Sequence, residues 1–485
     1  ATPARLARQL ITESTAIAGV GAGLGALAAW GGVRLLVHAA PGRIPGITDA
    51  HVDGRVLLFA SACAVVIGVV FGLVPALAML GRGSGSRVRI GTGQTAGGAA
   101  LAQRALIAAE VALSLVMLVG CSLLGRSLVR LTSVNPGFVS DGLFEIATYS
   151  TAGFWRDDAR IDRFNAAATE ALRAIPGITA TSGASGGLFE GSGSSSPIKV
   201  VGVDYTDGGP MIQQRVVLPG YLHTIGAPLL AGRDFTAADQ SGSEPVVIVT
   251  QAAVQRDFDG RSPIGKEVLW QGKTWTVIGI AGDVRYRDLS ANVDPMIYIP
   301  SAQQPGNTVV FTVRASADQQ SLARLIKERI DAIDPAVTVT RVDPVASLIQ
   351  HSYGEERYRT LLGSLFGILA AILAGIGMFG VISRTVAQRL REVGIRVALG
   401  AQERSVVALM LRDTIRGAAI GVVAGTLLAA LLARGLAPYL FGVRAGDPVA
   451  YLVAFALLAI TMIAATLPPA RRAARVDPVT ILRAE

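Results

Sequence analysis

The sequence predicts a multi-span α-helical membrane protein, with six transmembrane helices and one large α+β extracytoplasmic domain. Three observations predict it. Hydrophobic residues make up 51% of the 485 and charged residues only 16%, against about 25% charged in ordinary soluble domains, and the mean hydropathy is +0.49. Six runs reach the roughly 20 apolar residues that cross about 30 Å of hydrocarbon. Between the third and fourth runs lies a long, mostly polar stretch, 130–355, large enough to bury a core of its own. A disordered, fibrous or ordinary soluble chain is excluded. The formal charge of +9 would suit a nucleic-acid binder in a soluble chain, but in one this apolar a membrane accounts for it better. Glycine, 56 residues of 485, is enriched as expected where helices pack closely in lipid. Cys63 and Cys121 sit in apolar runs and form neither a disulfide framework nor a CxxC pair.

In chain order the spans are 14–37, 56–80 and 105–125, then 359–382, 414–436 and 449–469. The first is too long for a signal-peptide core and lacks a small-residue cleavage site. Arginines cluster in alternate flanks. Arg82, Arg87, Arg89 and Arg104 precede the third span, Arg384, Arg389, Arg391, Arg396 and Arg404 follow the fourth, and Arg471, Arg472, Arg475 and Arg483 close the chain. Because such flanks stay inside, both termini are expected in the cytoplasm and 130–355 outside.

Within 130–355, β-branched runs punctuated by Gly, Pro and Asp predict strands at 245–250, 273–284, 296–300, 307–315 and 337–342. Apolar residues at helical spacing predict helices at 158–174 (Ile161, Phe164, Ala168, Leu172) and 318–333 (Leu322, Leu325, Ile326, Ile330), stopped by Pro176-Gly177 and Asp334-Pro335. Helices each followed by strands suggest a split βαβ lobe with 185–300 inserted as a second lobe. The Gly/Ser-rich 182–197 reads as a loop.

The membrane segments also repeat. At an offset of 400 the opening ATPARLARQLITES lies over AQERSVVALMLRDT and carries Gly21 onto Gly421, Gly25 onto Gly425 and Arg34 onto Arg434. At an offset of 394, Asp53 falls on Asp447 and Leu-x-Pro-Ala at 73–76 on Leu-Pro-Pro-Ala at 467–470. Polar and proline positions among the matches argue against a chance alignment of two apolar helices.

Three stretches then carry a resemblance: SRTVAQRLREVGIRVALGAQERSVVALMLRD (383–413), PPARRAARVDPVTILRAE (468–485), and LPGYLHTIGAPLLAGRDF (218–235) with PIGKEV and VIGIAGDVR (263–268, 277–285). They resemble the MacB/FtsX-type permeases of ABC transporters, and the repeat makes the chain most similar to the duplicated orphan permeases (ADOP) of acidobacteria, here as the C-terminal portion of a two-unit protein. The organisation this implies has residues 1–80 as the last two helices of an incomplete first FtsX-like unit and 81–104 as a cytoplasmic linker. Residues 105–129 are then the first helix of the complete unit, and 130–355 a MacB-like periplasmic core domain. Residues 356–485 form an FtsX-like three-helix domain, with a coupling helix at 384–400 and a cytoplasmic tail at 470–485.

Written as a helix, 384–398 places Val386, Leu390, Val393 and Val397 on one stripe and Arg389, Glu392 and Arg396 on another, a short amphipathic helix ended by Gly400. Pattern alone also fits a helix lying on anionic lipid. The resemblance implies a coupling helix seated on an ATPase, with Arg389, Arg391, Glu392, Gly394, Ile395, Arg396, Leu399 and Gly400 as the contact residues.

Other motifs fail. GRSPIGKE (260–267) matches G-x-x-x-x-G-K but has Glu267 where a phosphate loop needs Ser or Thr for Mg²⁺, and it reads instead as a turn between Phe258 and a strand at 268–270. The four histidines, His38, His51, His223 and His351, are scattered without metal-ligand spacing. GASGG at 183–187 is no nucleophile elbow. The chain is therefore read as non-enzymatic, without cofactor or metal. Glu110 interrupts an apolar span, which by default marks function. Its place near the cytoplasmic end, six residues from Arg104, favours a solvated or paired interface residue.

The resemblance implies an inner-membrane permease of an ABC-type mechanotransmission or efflux system, in which a separate cytoplasmic ATPase drives shape changes in the periplasmic domain. A periplasmic adaptor and an outer-membrane channel are further partners it allows, besides membrane lipid. The alternative is an FtsX-like signalling or scaffold protein regulating an extracytoplasmic partner.

Overall fold

The computed structural model describes residues 3–39, 52–80, 95–151, 157–189, 194–205, 208–305, 309–316, 318–398 and 403–474; among helical residues, the side chains of 3–7, 10–11, 39, 67, 70–80, 95–103, 385–398, 403–414, 470 and 472–474 also lie outside the description. The chain divides into two compact units, Ala1–Leu128 with Gly354–Glu485, and Val129–Tyr353.

The first unit is helical: α1 (Pro3–Ala39), α2 (Gly54–Leu80), α3 (Thr95–Thr132), α9 (Gly354–Ala398), α10 (Glu403–Leu436) and α11 (Pro448–Ala474), where α4 to α8 belong to the second unit. Five described stretches are long and apolar enough to cross a membrane: Thr12–His38, Arg104–Thr132, Gly354–Arg384, Ile415–Tyr439 and Pro448–Pro469. In α2 the apolar stretch with described side chains, Gly54–Val66, is shorter. Large apolar side chains face outward along these helices, among them Leu24, Phe59, Leu373, Leu427 and Leu452, which lipid would cover.

Helix α3 is the hub. Ile107, Val111, Leu115, Leu118 and Leu123 recur on one face and are buried with Met378 of α9, Ala418, Ala429 and Ala433 of α10, and Ala454 and Leu458 of α11. Glycines let the backbones approach. A Cβ on Gly421 would stand 2.6 Å from Ala108 O, one on Gly425 2.8 Å from Ala112 Cα, and one on Gly363 3.0 Å from Leu124 Cδ1. At the far end of the bundle Arg126 pairs with Asp447 at 2.5 Å, and Ser127 Oγ accepts from Phe441 N–H at 2.7 Å. Asp447 stands just before α11, where it bonds Tyr451 N–H through its carbonyl; its repeat mate Asp53 stands just before α2 and bonds Leu57 N–H in the same manner.

The second unit is built on β1 (Leu143–Ser150), α4 (Asp158–Arg173), β2 (Ile178–Ala184), β3 (Ser194–Val200), β4 (Met211–Val217), α5 (Tyr221–Ile225), β5 (Leu229–Gly232), β6 (Val246–Thr250), α6 (Gln251–Asp257), β7 (Glu267–Trp270), β8 (Lys273–Ala281), β9 (Met296–Pro300), β10 (Val310–Ala315), α7 (Gln319–Asp331), β11 (Val337–Pro344) and α8 (Val345–Ser352). Strand order runs β11-β1-β10-β2-β4-β3-β7-β8-β6-β9, and β9 returns to pair in parallel with β4.

Two lobes follow from this order. The sheet lobe comprises the antiparallel strands β11-β1-β10-β2 under α4 and α7. Asp157 and Asp318 start those helices by accepting from Arg160 N–H and Ser321 N–H. Their apolar stripes bury Ile161, Phe164, Ala168, Leu172, Leu322, Ile326 and Ile330 against Ile146, Phe311 and Val313. Arg160 reaches Asp334 through two 2.7 Å hydrogen bonds and ties the start of α4 to the turn after α7. The barrel lobe is the closed ring β4-β3-β7-β8-β6-β9, its interior filled by Trp270 and Trp275 edge to face at 5.5 Å, with Val247, Val249, Val277 and Ile297 around them.

Two expectations are corrected. Residues 182–197 are not one loop: β2 runs through Ala184, β3 begins at Ser194, and Gly183 and Ser182 pair in register with Phe311 and Thr312. Small residues suit β2 because a Cβ on Gly183 would lie 2.9 Å from Val310 O. Nor is 384–398 a separate short helix; it continues α9, which nothing in the sequence between 384 and 398 interrupts with Gly-Pro or a capping turn.

Candidate functional site

Of the residues expected to contact an ATPase, Arg389, Arg391, Glu392, Gly394, Ile395 and Arg396 lie on the helical backbone of α9, their side chains outside the description. Leu399 and Gly400 lie outside the described residues. What is described is the rod that carries the first six. Helix α9 is one unbroken run of 45 residues, about 68 Å at 1.5 Å per residue, of which Gly354–Arg384 is apolar enough to span.

Inside the bundle, Glu110 of α3 lies against α9. A Cβ on Gly377 would fall 2.2 Å from its Oε2 and 2.4 Å from its Oε1, so Gly377 makes room for the carboxyl. Its Oε2 is buried without a hydrogen-bond partner among the described residues. Expected as a solvated or paired interface residue, Glu110 instead packs against a glycine 267 positions away, a neighbour that no local pattern could name. Other polar ties also join α3 to α9: Ser114 Oγ donates to Ala370 O at 3.0 Å, and Thr360 Oγ1 to Leu124 O at 3.3 Å.

Within the second unit, the segment that follows α3 is tied to both lobes, to the turn after β8 on the barrel side and to α5 and β10 on the sheet side. Arg285 N–H donates to Pro136 O and Val139 N–H to Ile225 O, each at 2.9 Å. Gly137 has φ +87°, and a Cβ there would sit 1.9 Å from Asp283 O, so glycine is required both by backbone conformation and by space. Arg314 of β10 gathers three carbonyls around the same segment, Val139 O at 3.0 Å, Thr224 O at 2.9 Å and Asp141 O at 2.5 Å. The other chain crossing leaves from the sheet lobe, where β11 passes into α8. Gly137 and Arg314 were not singled out by sequence; Asn135-Pro136-Gly137 announces a turn, and only the fold shows what the turn clasps.

The phosphate-loop lookalike is spent on structure. Gly265 N–H donates to Val277 O and Val277 N–H to Lys266 O, both at 2.9 Å, and Lys266 Nζ lies 5.8 Å from the Phe258 ring centre. A loop whose amides are paired to β8 cannot cradle a phosphate. Among the described residues no three His, Cys, Asp or Glu side chains converge as metal ligands. Electrostatic ties outside the helices are structural. Asp239 is held at about 2, chiefly by the Arg233 guanidinium, which offers two hydrogen bonds, and also by Thr236 N–H, against the opposing effect of its burial. Asp334 is lowered first by Arg160 and then by Ala336 N–H.

Residues 105–329 match the family model of the MacB-like periplasmic core domain, and residues 364–478 that of the FtsX-like permease C-terminal. The chain is 30% identical over 275 residues to the macrolide export ATP-binding/permease protein MacB of Nitrosomonas europaea, covering 52% of this chain and 40% of that protein. It is 28% identical over 274 residues to the pyoverdine export ATP-binding/permease protein PvdT of Pseudomonas entomophila, covering 53% and 41%. The chain thus spans about two fifths of the length of these curated relatives. Among solved structures, the periplasmic region of MacB from Actinobacillus actinomycetemcomitans aligns with 46% of this chain and 96% of its own at 17% identity and a TM-score of 0.33. The extracellular domain of the noncanonic ABC-type transporter YknZ from Gram-positive bacteria aligns with 41% and 100% at 16% identity and a TM-score of 0.29.

Proposed function

The chain belongs to the MacB/FtsX-type permeases of ABC transporters, and from that premise we propose that it is the permease part of a mechanotransmission system driven by a cytoplasmic ATPase in trans. The observation that carries this reading is the continuity of α9, a single helix joining the spanning segment to the arginine-rich 384–398. A push on that end reaches the bundle without a joint to absorb it. The segment after α3, held by Arg285, Asp283 and Arg314, supports a second route by which movement enters the periplasmic domain. Six spans, with both termini cytoplasmic in a bacterial inner membrane, go with this reading: α2 is helical over 27 residues and the arginines favour that orientation. The repeat supports a tandem architecture like that of the duplicated orphan permeases. An adaptor and an outer-membrane channel are partners of the proposed system.

The proposed contact comprises Arg389, Arg391, Glu392, Gly394, Ile395, Arg396, Leu399 and Gly400. Reversing two charges, Glu392→Lys with Arg396→Glu, preserves an intrahelical i,i+4 pair and should cost the helix only a few tenths of a kcal/mol. An ATPase docked there would meet like charges, at a cost of about several kcal/mol. The expected outcome is loss of the cognate ATPase on copurification, with insertion unchanged by protease protection. Retention at wild-type yield refutes the contact and favours a helix lying on lipid.

A further inference from the structure

Arg215 of β4 is 1% exposed. Its guanidinium donates to Gly186 O and, at 3.2 Å, to Gly187 O, and stacks on Tyr286 with the central carbon 3.7 Å from the ring centre. Among the described residues its Nε has no hydrogen-bond partner and no carboxylate pairs with it. Buried charges are ordinarily paired, and the buried carboxylate on the neighbouring lobe, Glu145, is committed elsewhere: Oε2 accepts from Leu188 N–H at 2.6 Å and Oε1 lies 3.9 Å from Arg341. A fully desolvated cation is left with its charge unanswered.

The same side chain forms part of the wall of a small cavity in the barrel lobe, together with Arg285, Arg287, Asp288, Asn292 and Asp294. Positive charge is in excess there, since Arg215, Arg285 and Arg287 share the wall with Asp288 and Asp294. Asp288 Oδ1 already accepts from Ser290 Oγ and Ala291 N–H at 2.6 Å each, and Asp294 takes Arg287 at 3.4 Å. Arg285 spends Nη1 on Leu289 O and Ala291 O, which leaves its Nε and Nη2 without partners among the described residues. The cavity volume is about 20 Å³, above the 10–15 Å³ or so that one water requires and far below that of a drug-sized site. It has room for one small group.

We propose that this cavity is an anion site, built on the unpaired Arg215 and rimmed by Arg285 and Arg287, that takes a single small oxyanion of carboxylate size. Nε and Nη2 of Arg285, the two donors it does not spend on Leu289 O and Ala291 O, form the planar fork that suits the two oxygens of a carboxylate, with the charge of Arg215 in the wall behind it. Bound there, the anion neutralises Arg215 and, through it, steadies the crossover at Gly186-Gly187 that leads from the sheet lobe towards β3. A free small acid and the C-terminal carboxylate of a peptide share this chemistry.

The test uses the full chain in detergent, with thermal unfolding followed as formate, acetate, acetyl-Ala-Ala or acetyl-Ala-Ala amide is titrated at constant ionic strength. The carboxylates should raise the midpoint saturably. Arg287→Gln, on the exposed rim, should weaken the half-saturating concentration by about tenfold, the scale of one charged hydrogen bond, and Arg215→Met should abolish the response. Tighter binding of acetyl-Ala-Ala than of acetate or of its amide identifies a peptide end as the ligand; equal response to acetate and acetyl-Ala-Ala identifies a free acid. A midpoint indifferent to every carboxylate, showing the cavity to hold water only, overturns the proposal, as does a response that survives in Arg287→Gln unchanged. Should Arg215→Met fail to fold, Arg287→Gln alone decides.

Discussion

Gly137→Ala offers a direct measure of how firmly the segment after α3 is fastened to the two lobes. The backbone there has φ +87°, where an L-residue costs about 1–2 kcal/mol. The new methyl would stand 1.9 Å from Asp283 O and 3.0 Å from Val284 Cα, and both are backbone atoms that cannot swing aside as a side-chain tip can. The segment must lift, and the 2.9 Å bonds Arg285 N–H to Pro136 O and Val139 N–H to Ile225 O lengthen or break, at about 0.5–1.5 kcal/mol each. The sum is about 2–5 kcal/mol of local stability. Gly202→Ala separates the two causes, because Gly202 shares φ +87° but has nothing within 4 Å of its Cβ position; it should lose only the conformational part. Amide hydrogen exchange reads the difference. Arg285 and Val139 should exchange at least about tenfold faster in Gly137→Ala, one decade per 1.4 kcal/mol, and at the wild-type rate in Gly202→Ala. Unchanged protection of both amides in Gly137→Ala would refute the clasp.

Gly421→Val should lower the thermal midpoint by the equivalent of about 1–3 kcal/mol of overpacking, since its Cβ meets Ala108 O at 2.6 Å and Val111 Cβ at 2.8 Å, whereas Gly435→Val, with nothing within 4 Å, should leave the midpoint near wild type; equal effects would mean that α10 does not seat on α3. Asp239→Asn tests an ion pair by its pH dependence. The folded carboxyl titrates at about 2 against an ordinary 3.8, so its contribution is complete above that ordinary value and is lost as pH falls through the folded one. The gap in unfolding midpoint between wild type and Asp239→Asn should stay constant down to about pH 5 and close between about pH 4 and 2. A gap that persists unchanged at about pH 2 would show that Arg233 does not hold the carboxylate.

Strands that carry unbroken β-branched runs were legible: β6, β8, β9 and β10 fall within the stretches expected from Val, Ile and Thr content, and β11 starts with its expected stretch at Val337 and runs on to Pro344. Helices α4 and α7 were legible for a similar reason, since a 3.6-residue period and an Asp cap are local signals. Of the five strands that escaped, LFEIATYS, ITATSGA, SSSPIKV and MIQQRVV mix apolar with small or polar residues in a pattern that does not declare which face is buried, and the fifth, LLAG of β5, is only four residues long. Their pairing is decided by neighbours far along the chain: β1 lies between β10 and β11, and β2 between β10 and β4. Ser182 is tolerated at full burial because its hydroxyl donates to Leu218 O at 3.1 Å.

Composition and periodicity by themselves determined that this is a multi-span protein with a large α+β domain, where its apolar helices lie, and which flanks carry the arginines, because each of those is a property of a short window of chain. Tertiary structure alone decided that β9 closes a barrel on β4, that Glu110 rests on Gly377, that Pro136–Val139 is held by Ile225 and Asp283–Arg285, and that Arg215 is buried with no counter-charge among the described residues. Each of those depends on two segments distant in sequence meeting with complementary shape and hydrogen bonding. The free energy that selects such a meeting belongs to the pair and is written in neither segment alone.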